Sequence, residues 1–226
     1  MSTVRSIREL IEVEDPAWPS LCERFAAAVV PVEVLPVDME RACEVLYRLQ
    51  VTAYSTLGAL ALPTGGLVVD HGWLRILGGG HGELPDLAAA NEIGKPGGAD
   101  TGKGSLTVAF DALGGQFAVN GGGLPGKVGE ICFLGADTLR WEPIGAGHSA
   151  FIAWAVGGGA GDFYAGLRWS GWAEEVEELS PGEGLSIYPP LWSAEGRADI
   201  AGTSRRRCPL TELISLHLDM VDRMKI

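Results

Sequence analysis

The stretch 69–82 carries the side chains most able to do chemistry in this chain. Asp70, His71 and Arg75 lie around a short apolar run, and His81 follows that run after three glycines. An imidazole beside a carboxylate can act as a tunable general base, and strands that end at glycine turns hold such groups on a rigid support. The sequence therefore predicts a site here, with Asp70, His71 and His81 as its catalytic residues if it is an enzyme.

Metal binding and nucleophilic catalysis have weaker support in the sequence. A stable metal site needs three or four ligands, and His148 and His217 lie on other predicted elements. The residues around Ser149 and Cys132 do not form a nucleophile elbow. We therefore expect no metal and no cofactor, and binding is favoured over catalysis.

A glycine-rich run at 97–105 is similar to a phosphate-binding loop in the spacing from Gly97 to Lys103. Gly104 stands where such a loop needs a hydroxyl group to bind magnesium, and no strand precedes the glycines. The run is therefore predicted to be a surface loop without a nucleotide.

Aromatic and polar side chains elsewhere supply candidates for ligand binding. Seven tryptophans are many for 226 residues, and aromatic side chains dominate recognition surfaces as well as cores. The two alternatives, core packing and a ligand groove, stay open at this point. The candidates for a pocket are Trp73, Arg75, Asn120, Tyr188 and Trp192.

The charge balance limits the kinds of partner. The net charge is −12 at pH 7, so nucleic-acid phosphates would be repelled, whereas a basic protein would be attracted. The cysteines are far apart in sequence and read as reduced core thiols, which favours the cytoplasm. No signal peptide or apolar run of membrane-spanning length is evident, so no membrane partner is expected.

Apolar periodicity predicts helices at both ends of the chain and strands between them. Residues 1–56 are predicted to be a helical layer that starts with a capping box from Ser6 to Glu9. Residues 57–145 form the predicted sheet region, beginning with a strand at 57–62, and residues 146–226 a helical region interrupted by one strand near 185–192. The short turns of the sheet region require mostly antiparallel pairing. The prediction is one α+β domain.

Several segments resemble a known superfamily. The residues Val34-Leu35-Pro36 before an acid-capped helix, the strand through 115–122 and the run 137–144 leading into 151–154 are similar to the SUKH superfamily, which includes Syd and the yeast cell-wall-synthesis regulators. The motifs at 69–78 and 188–192 resemble, more closely, a bacterial family of unknown function over nearly the whole chain. The SUKH resemblance implies an α+β fold and, in bacteria, a non-catalytic immunity role against toxins; it implies no catalytic residues.

Two functions follow as hypotheses. The first is a non-catalytic protein that binds a protein partner through the acidic helix that carries Glu174, Glu175 and Glu178; an immunity protein for a basic toxin is one form of this hypothesis. The second is an enzyme or small-molecule-binding protein with a pocket around Asp70 and Arg75, together with the two histidines of that stretch. The oligomeric state is not predicted.

Overall fold

The computed structural model of the chain describes residues 4–96 and 104–224. Its centre is a seven-stranded sheet whose strands follow one another in sequence order, each antiparallel to the next. The strands are β1 (Val32–Leu35), β2 (Gly66–Val69), β3 (Leu74–Leu77), β4 (Ser105–Asp111), β5 (Gln116–Asn120), β6 (Ile131–Leu134) and β7 (Trp141–Pro143). Helices lie at both ends of the chain, so the predicted α+β class is confirmed.

Four helices occupy the N-terminal part, and their caps follow the sequence. They are α1 (Ile7–Ile11), α2 (Trp18–Ala26), α3 (Met39–Leu49) and α4 (Thr56–Ala61). The capping box predicted for Ser6 and Glu9 is present, and Asp38 caps α3.

Two predictions for this half of the chain are wrong. The run 57–62 forms α4 rather than a strand, since Ser55 caps it by accepting from the backbone N–H of Gly58 at 3.1 Å. The stretch 30–36, inside the region predicted to be a helical layer, contains β1, which forms one edge of the sheet. The region 1–56 is thus not wholly helical.

The rest of the chain adds six helices and a two-stranded sheet to the described structure. The helices are α5 (Leu87–Ala90) before β4, then α6 (His148–Val156), α7 (Ala160–Phe163), α8 (Trp172–Glu177), α9 (Ala194–Ala198) and α10 (Leu210–Met224). The strand predicted near 185–192 is β8 (Glu183–Tyr188), and it pairs antiparallel with β9 (Ser204–Pro209). The strand β9 was not predicted, because its three arginines look like an exposed charge run.

One cluster of buried hydrophobic side chains joins the N-terminal helices, the sheet and the C-terminal part. Cys132 and Cys208 are buried, whereas Cys22 is exposed, so the prediction that it lies in the core is wrong. Within residues 4–96 and 104–224, no helix is long and apolar enough to cross a membrane. Most of the glycine-rich run 97–105, including Lys103, lies outside the described residues.

Candidate functional site

A cavity of about 900 Å³ opens on one face of the sheet at its first three strands. Its floor includes a row of side chains from three adjacent strands: Glu33 on β1 lies opposite Val68 on β2, and Val68 lies opposite Arg75 on β3. Directly opposed residues of neighbouring strands point to the same face. The segment 176–183, which runs from the last residues of α8 to the first residue of β8, also lines the cavity.

Arg75 is the most unusual residue of this cavity. Its side chain lines the cavity, yet the residue is only 1% exposed. Nε and Nη1 are covered and donate no hydrogen bond to any residue in the described ranges. Burial lowers the pKa of Arg75 to about 10, while the negative charges of Asp111 and Glu183 act in the opposite direction. A buried guanidinium without hydrogen bonds is unfavourable, so Arg75 lacks the acceptors that its burial calls for.

His71 reaches the cavity from the turn that joins β2 to β3. The N–H of Trp73 donates to the carbonyl of Asp70 at 2.9 Å and closes this turn. Both central residues, His71 and Gly72, have φ values in the left-handed region, 58° and 86°, as in a type I′ turn. The imidazole Nδ1 is bonded to the carboxylate of Glu177 and its ring packs edge-on against Trp172. Glu177 therefore fixes the imidazole against α8.

Asp70 does not join His71, contrary to the sequence-based pairing. Its carboxylate is 7% exposed and forms an ion pair with Arg168, away from the cavity lining. The guanidinium carbon of Arg168 lies 3.8 Å from the centre of the Trp172 ring and 4.7 Å from that of Trp73. A paired and stacked arrangement of this kind stabilises a turn. Asp70 thus holds the turn in place rather than acting as a base.

Trp73 is fully buried and belongs to the core, so the prediction that it contacts a ligand is wrong. Its ring packs against Tyr164, Trp169 and Trp172, with centroid distances of 5.3, 6.0 and 5.2 Å. This cluster joins the β2–β3 turn to the segment 164–172. The aromatic packing therefore stabilises the turn that carries His71.

His81 lies at the other end of β3 from His71. The strand between them has four residues and spans about 13 Å. Both histidines line the cavity, but from opposite ends. They therefore flank an elongated space and do not form one acid–base pair.

Carboxylates outnumber cations around the cavity. Glu83 accepts a hydrogen bond from the hydroxyl of Ser180 at 3.0 Å, and Glu183 accepts one from the Ser180 N–H at 2.9 Å. Because this hydroxyl donates to a carboxylate, it forms no serine–histidine dyad with His81. Glu33 lies on the edge strand and has no hydrogen bond or ion pair to another described residue.

The other predicted ligand-binding residues lie elsewhere. Asn120 is 1% exposed, and its side chain accepts from the N–H of Gly122 and donates to the carbonyl of Leu124. It shapes the loop after β5, so its assignment to the pocket is wrong. Tyr188 and Trp192 do come together, but in a second, mainly apolar cavity of about 280 Å³ beside α10.

The predicted partner-binding residues of α8 are divided by their contacts. Glu174 and Glu178 are exposed as expected, but Glu178 forms an ion pair with Arg207 of β9. Glu175 is half-buried, accepts from the Trp169 indole N–H at 2.9 Å and pairs with Arg205 at 3.0 Å. The basic run of β9 thus neutralises part of the acidic helix, and Glu174 is the member of this set that stays fully available.

Metal binding finds no geometric support in residues 4–96 and 104–224, where no group of three or more histidine, cysteine or carboxylate side chains could hold an ion. Both imidazole nitrogens of the partly buried His148 are covered, and this desolvation lowers its pKa to about 4. His217 packs against Trp192 at 5.5 Å between ring centroids, and burial lowers its pKa. Neither histidine reaches the cavity that Arg75 lines.

Three residues that matter to the cavity were missed in the sequence. Arg168 and Glu177 hold Asp70 and His71, and Glu33 lies on the floor of the cavity. The pairs to Arg168 and Glu177 join residues 98 and 106 positions apart, a separation that no local pattern reveals. Glu33 had a signal in its alternation with Val32 and Val34, which is typical of a strand.

Comparisons with known proteins identify one family and two uncharacterized relatives. Residues 7–213 match the family described as protein of unknown function DUF2625. The chain is 39% identical over 220 residues to the uncharacterized protein YbfG of Escherichia coli (strain K12), covering 96% of this chain and 97% of that protein. It is 32% identical over 192 residues to an uncharacterized protein of Haemophilus influenzae, covering 83% of each chain.

No solved structure matches the fold. None of these matches links the chain to the SUKH superfamily, and that resemblance stays a prediction. The family match extends from α1 to the first turn of α10 and includes every residue of the cavity described above. The chain belongs to the DUF2625 family of proteins of unknown function.

Proposed function

We propose that this protein binds a small organic ligand through an anionic group of that ligand, held by Arg75 in the 900 Å³ cavity. The observation that carries the proposal is the state of Arg75, which is 1% exposed and lines the cavity with two covered nitrogens that lack hydrogen-bond partners. Guanidinium groups recognise carboxylates and phosphates through paired hydrogen bonds. A bound anion would supply the missing acceptors.

Binding without catalysis fits the cavity better than an enzymatic reaction does. His71 is hydrogen-bonded to Glu177, and the Ser180 hydroxyl donates to Glu83. The imidazole is therefore not placed as a general base for the serine hydroxyl, and the hydroxyl is not placed as a nucleophile. The four cysteines are free thiols, which supports a reducing compartment, and we place the protein in the cytoplasm on that ground.

NMR spectroscopy of the isotopically labelled protein tests this function. The probes are acetate and inorganic phosphate, titrated separately while the side-chain Nε–H resonance of Arg75 is followed. We expect a saturable shift of this resonance with at least one probe, together with shifts at Val68 and His71. Arg75→Met should abolish these shifts, whereas Arg41→Met, whose guanidinium pairs with Asp86 and does not line the cavity, should not. Equal responses in wild type and Arg75→Met would refute the proposal.

A second candidate function, binding of a basic protein partner, is supported by one separate observation. Glu174 is exposed on α8 and pairs with no described residue, in a chain whose net charge is −12. Such a carboxylate would raise the association rate of a basic partner. Growth rescue and pull-down with toxins encoded beside the gene test this candidate independently of Arg75.

A further inference from the structure

We propose that the ligand of this cavity is a zwitterion whose carboxylate and ammonium groups are about 7 Å apart, as in an ω-amino acid or a dipeptide. The inference rests on the proposed function, because Arg75 holds the carboxylate in both. It adds the second charge, for which Glu33 is the receptor. The cavity is thus a receptor for two opposite charges on one small molecule.

Charge balance is the first reason. Arg75 shares the cavity with four carboxylates, those of Glu33, Glu83, Glu177 and Glu183. A ligand with several negative charges would be repelled by them, since charge interactions strengthen as water is displaced. A ligand with only a positive charge would leave the Arg75 guanidinium buried and unpaired. A ligand with one charge of each sign satisfies both groups.

Of the four carboxylates, that of Glu33 is the one without a hydrogen bond or ion pair to another described residue. Glu177 is bonded to His71, and Glu83 and Glu183 accept hydrogen bonds from Ser180. Glu33 has no such contact with a described residue, and it is exposed on the edge strand β1. An ammonium group can reach it there without first breaking a bond inside the protein.

The register of the sheet sets the distance between the two charges of the ligand. Glu33, Val68 and Arg75 form one cross-strand row on a common face. The first and third residues of such a row are two strand spacings apart, or about 10 Å between Cα atoms. Hydrogen bonds at both ends take up part of this span. The apolar side chain of Val68 lies between the charged groups and suits the methylene chain of a linear ligand.

Isothermal titration calorimetry with four probes tests the inference. The probes are 6-aminohexanoate, hexanoate, which lacks the ammonium group, hexylamine, which lacks the carboxylate, and glycine, whose charges are too close. Wild-type protein should bind 6-aminohexanoate at least ten-fold more tightly than each of the other three. Glu33→Gln should reduce the ratio of 6-aminohexanoate to hexanoate affinity to about two-fold or less, while leaving hexanoate bound. Glu142→Gln, an exposed glutamate on the opposite edge strand β7, is the matched control and should leave the ratio unchanged.

The failures of the two proposals can be told apart. If hexanoate binds in an Arg75-dependent way and 6-aminohexanoate binds no more tightly, the zwitterion inference is overturned and the proposed function stands. If neither compound binds, the zwitterion inference is overturned, and the proposed function is overturned with it if acetate and phosphate also fail to shift the Arg75 resonance. If Arg75→Met leaves both affinities unchanged, both proposals are overturned. A ratio that falls equally in Glu33→Gln and Glu142→Gln overturns the role of Glu33, because a general loss of negative charge would then explain it.

Discussion

Replacing Arg75 with methionine is expected to stabilise the ligand-free protein and to remove its ability to bind an anion. Burial lowers the pKa of Arg75 from its ordinary value to about 10, and the nearby charges of Asp111 and Glu183 offset this only in part. A group whose pKa is lower in the folded state binds its proton less tightly there. The charged guanidinium therefore lowers the stability of the folded protein at every pH below its folded-state pKa, including neutral pH.

The magnitude follows from the same shift. The lowering of the Arg75 pKa from the ordinary value of an arginine to about 10 corresponds to roughly 3 kcal/mol, at about 1.4 kcal/mol per pKa unit. Methionine occupies the space of the arginine stem without a charge, but its introduction also removes the cation near buried Asp111. We therefore expect the free energy of unfolding at pH 7 to rise by roughly 1 to 3 kcal/mol.

Urea denaturation followed by tryptophan fluorescence measures this difference. Arg41→Met is the matched control, since Arg41 donates from Nε and Nη2 to Asp86 at 3.0 and 2.9 Å. Its removal leaves the nearly buried Asp86 carboxylate without a cation and should lower stability by about 1 kcal/mol. If Arg75→Met loses as much stability as Arg41→Met, the guanidinium of Arg75 supports the fold, and the reasoning that it awaits a ligand is refuted.

Three other predictions concern residues around the cavity and on α8. Asp70→Ala should lower the free energy of unfolding by roughly 3 kcal/mol in urea, because the buried Arg168 guanidinium loses its partner. Burial raises the pKa of Asp111 to about 6 from 3.8, so its ionisation should cost roughly 3 kcal/mol of stability as the pH rises from about 4 to about 6. Asp111→Asn keeps acceptors for Leu113 and Gly115 and should remove this contribution in denaturation curves recorded across that range. Glu174→Lys should change stability by less than about 0.5 kcal/mol and slow association with a basic partner in stopped-flow measurements at low salt.

Each of these has an outcome that contradicts it. Asp70→Ala within about 0.5 kcal/mol of wild type would mean that the ion pair contributes little to the turn. An unchanged pH profile in Asp111→Asn would assign the titration to another group. A partner that associates with Glu174→Lys at the wild-type rate would remove α8 from the proposed interface.

The sequence determined the architecture where local signals were strong. The short turns between apolar runs left no room for crossover helices, so an antiparallel sheet between terminal helices was predictable. The capping box of Ser6 and Glu9 was likewise local, and it formed as expected. Arg75 was predicted as a ligand-binding residue because it interrupts an apolar strand, and it does line the cavity.

Local signals failed where two conformations suit the same residues. The apolar run 57–62 fits a short buried strand as well as a helix, and the cap from Ser55 together with packing against α2 and α6 decided for the helix. The strand β9 was missed because charged residues dominate it. Its arginines are accommodated by the pairing of β9 with β8 and by ion pairs to Glu175 and Glu178.

The site itself was decided by tertiary structure. Asp70 and His71 are neighbours in sequence, and a left-handed turn directs one to Arg168 and the other to Glu177, 98 and 106 residues away. The register of three strands placed Glu33 in the same row as Arg75. The sequence determines which charged side chains the protein has. Which of them interact depends on how distant segments pack across the sheet, because electrostatic interactions act through space and not along the chain.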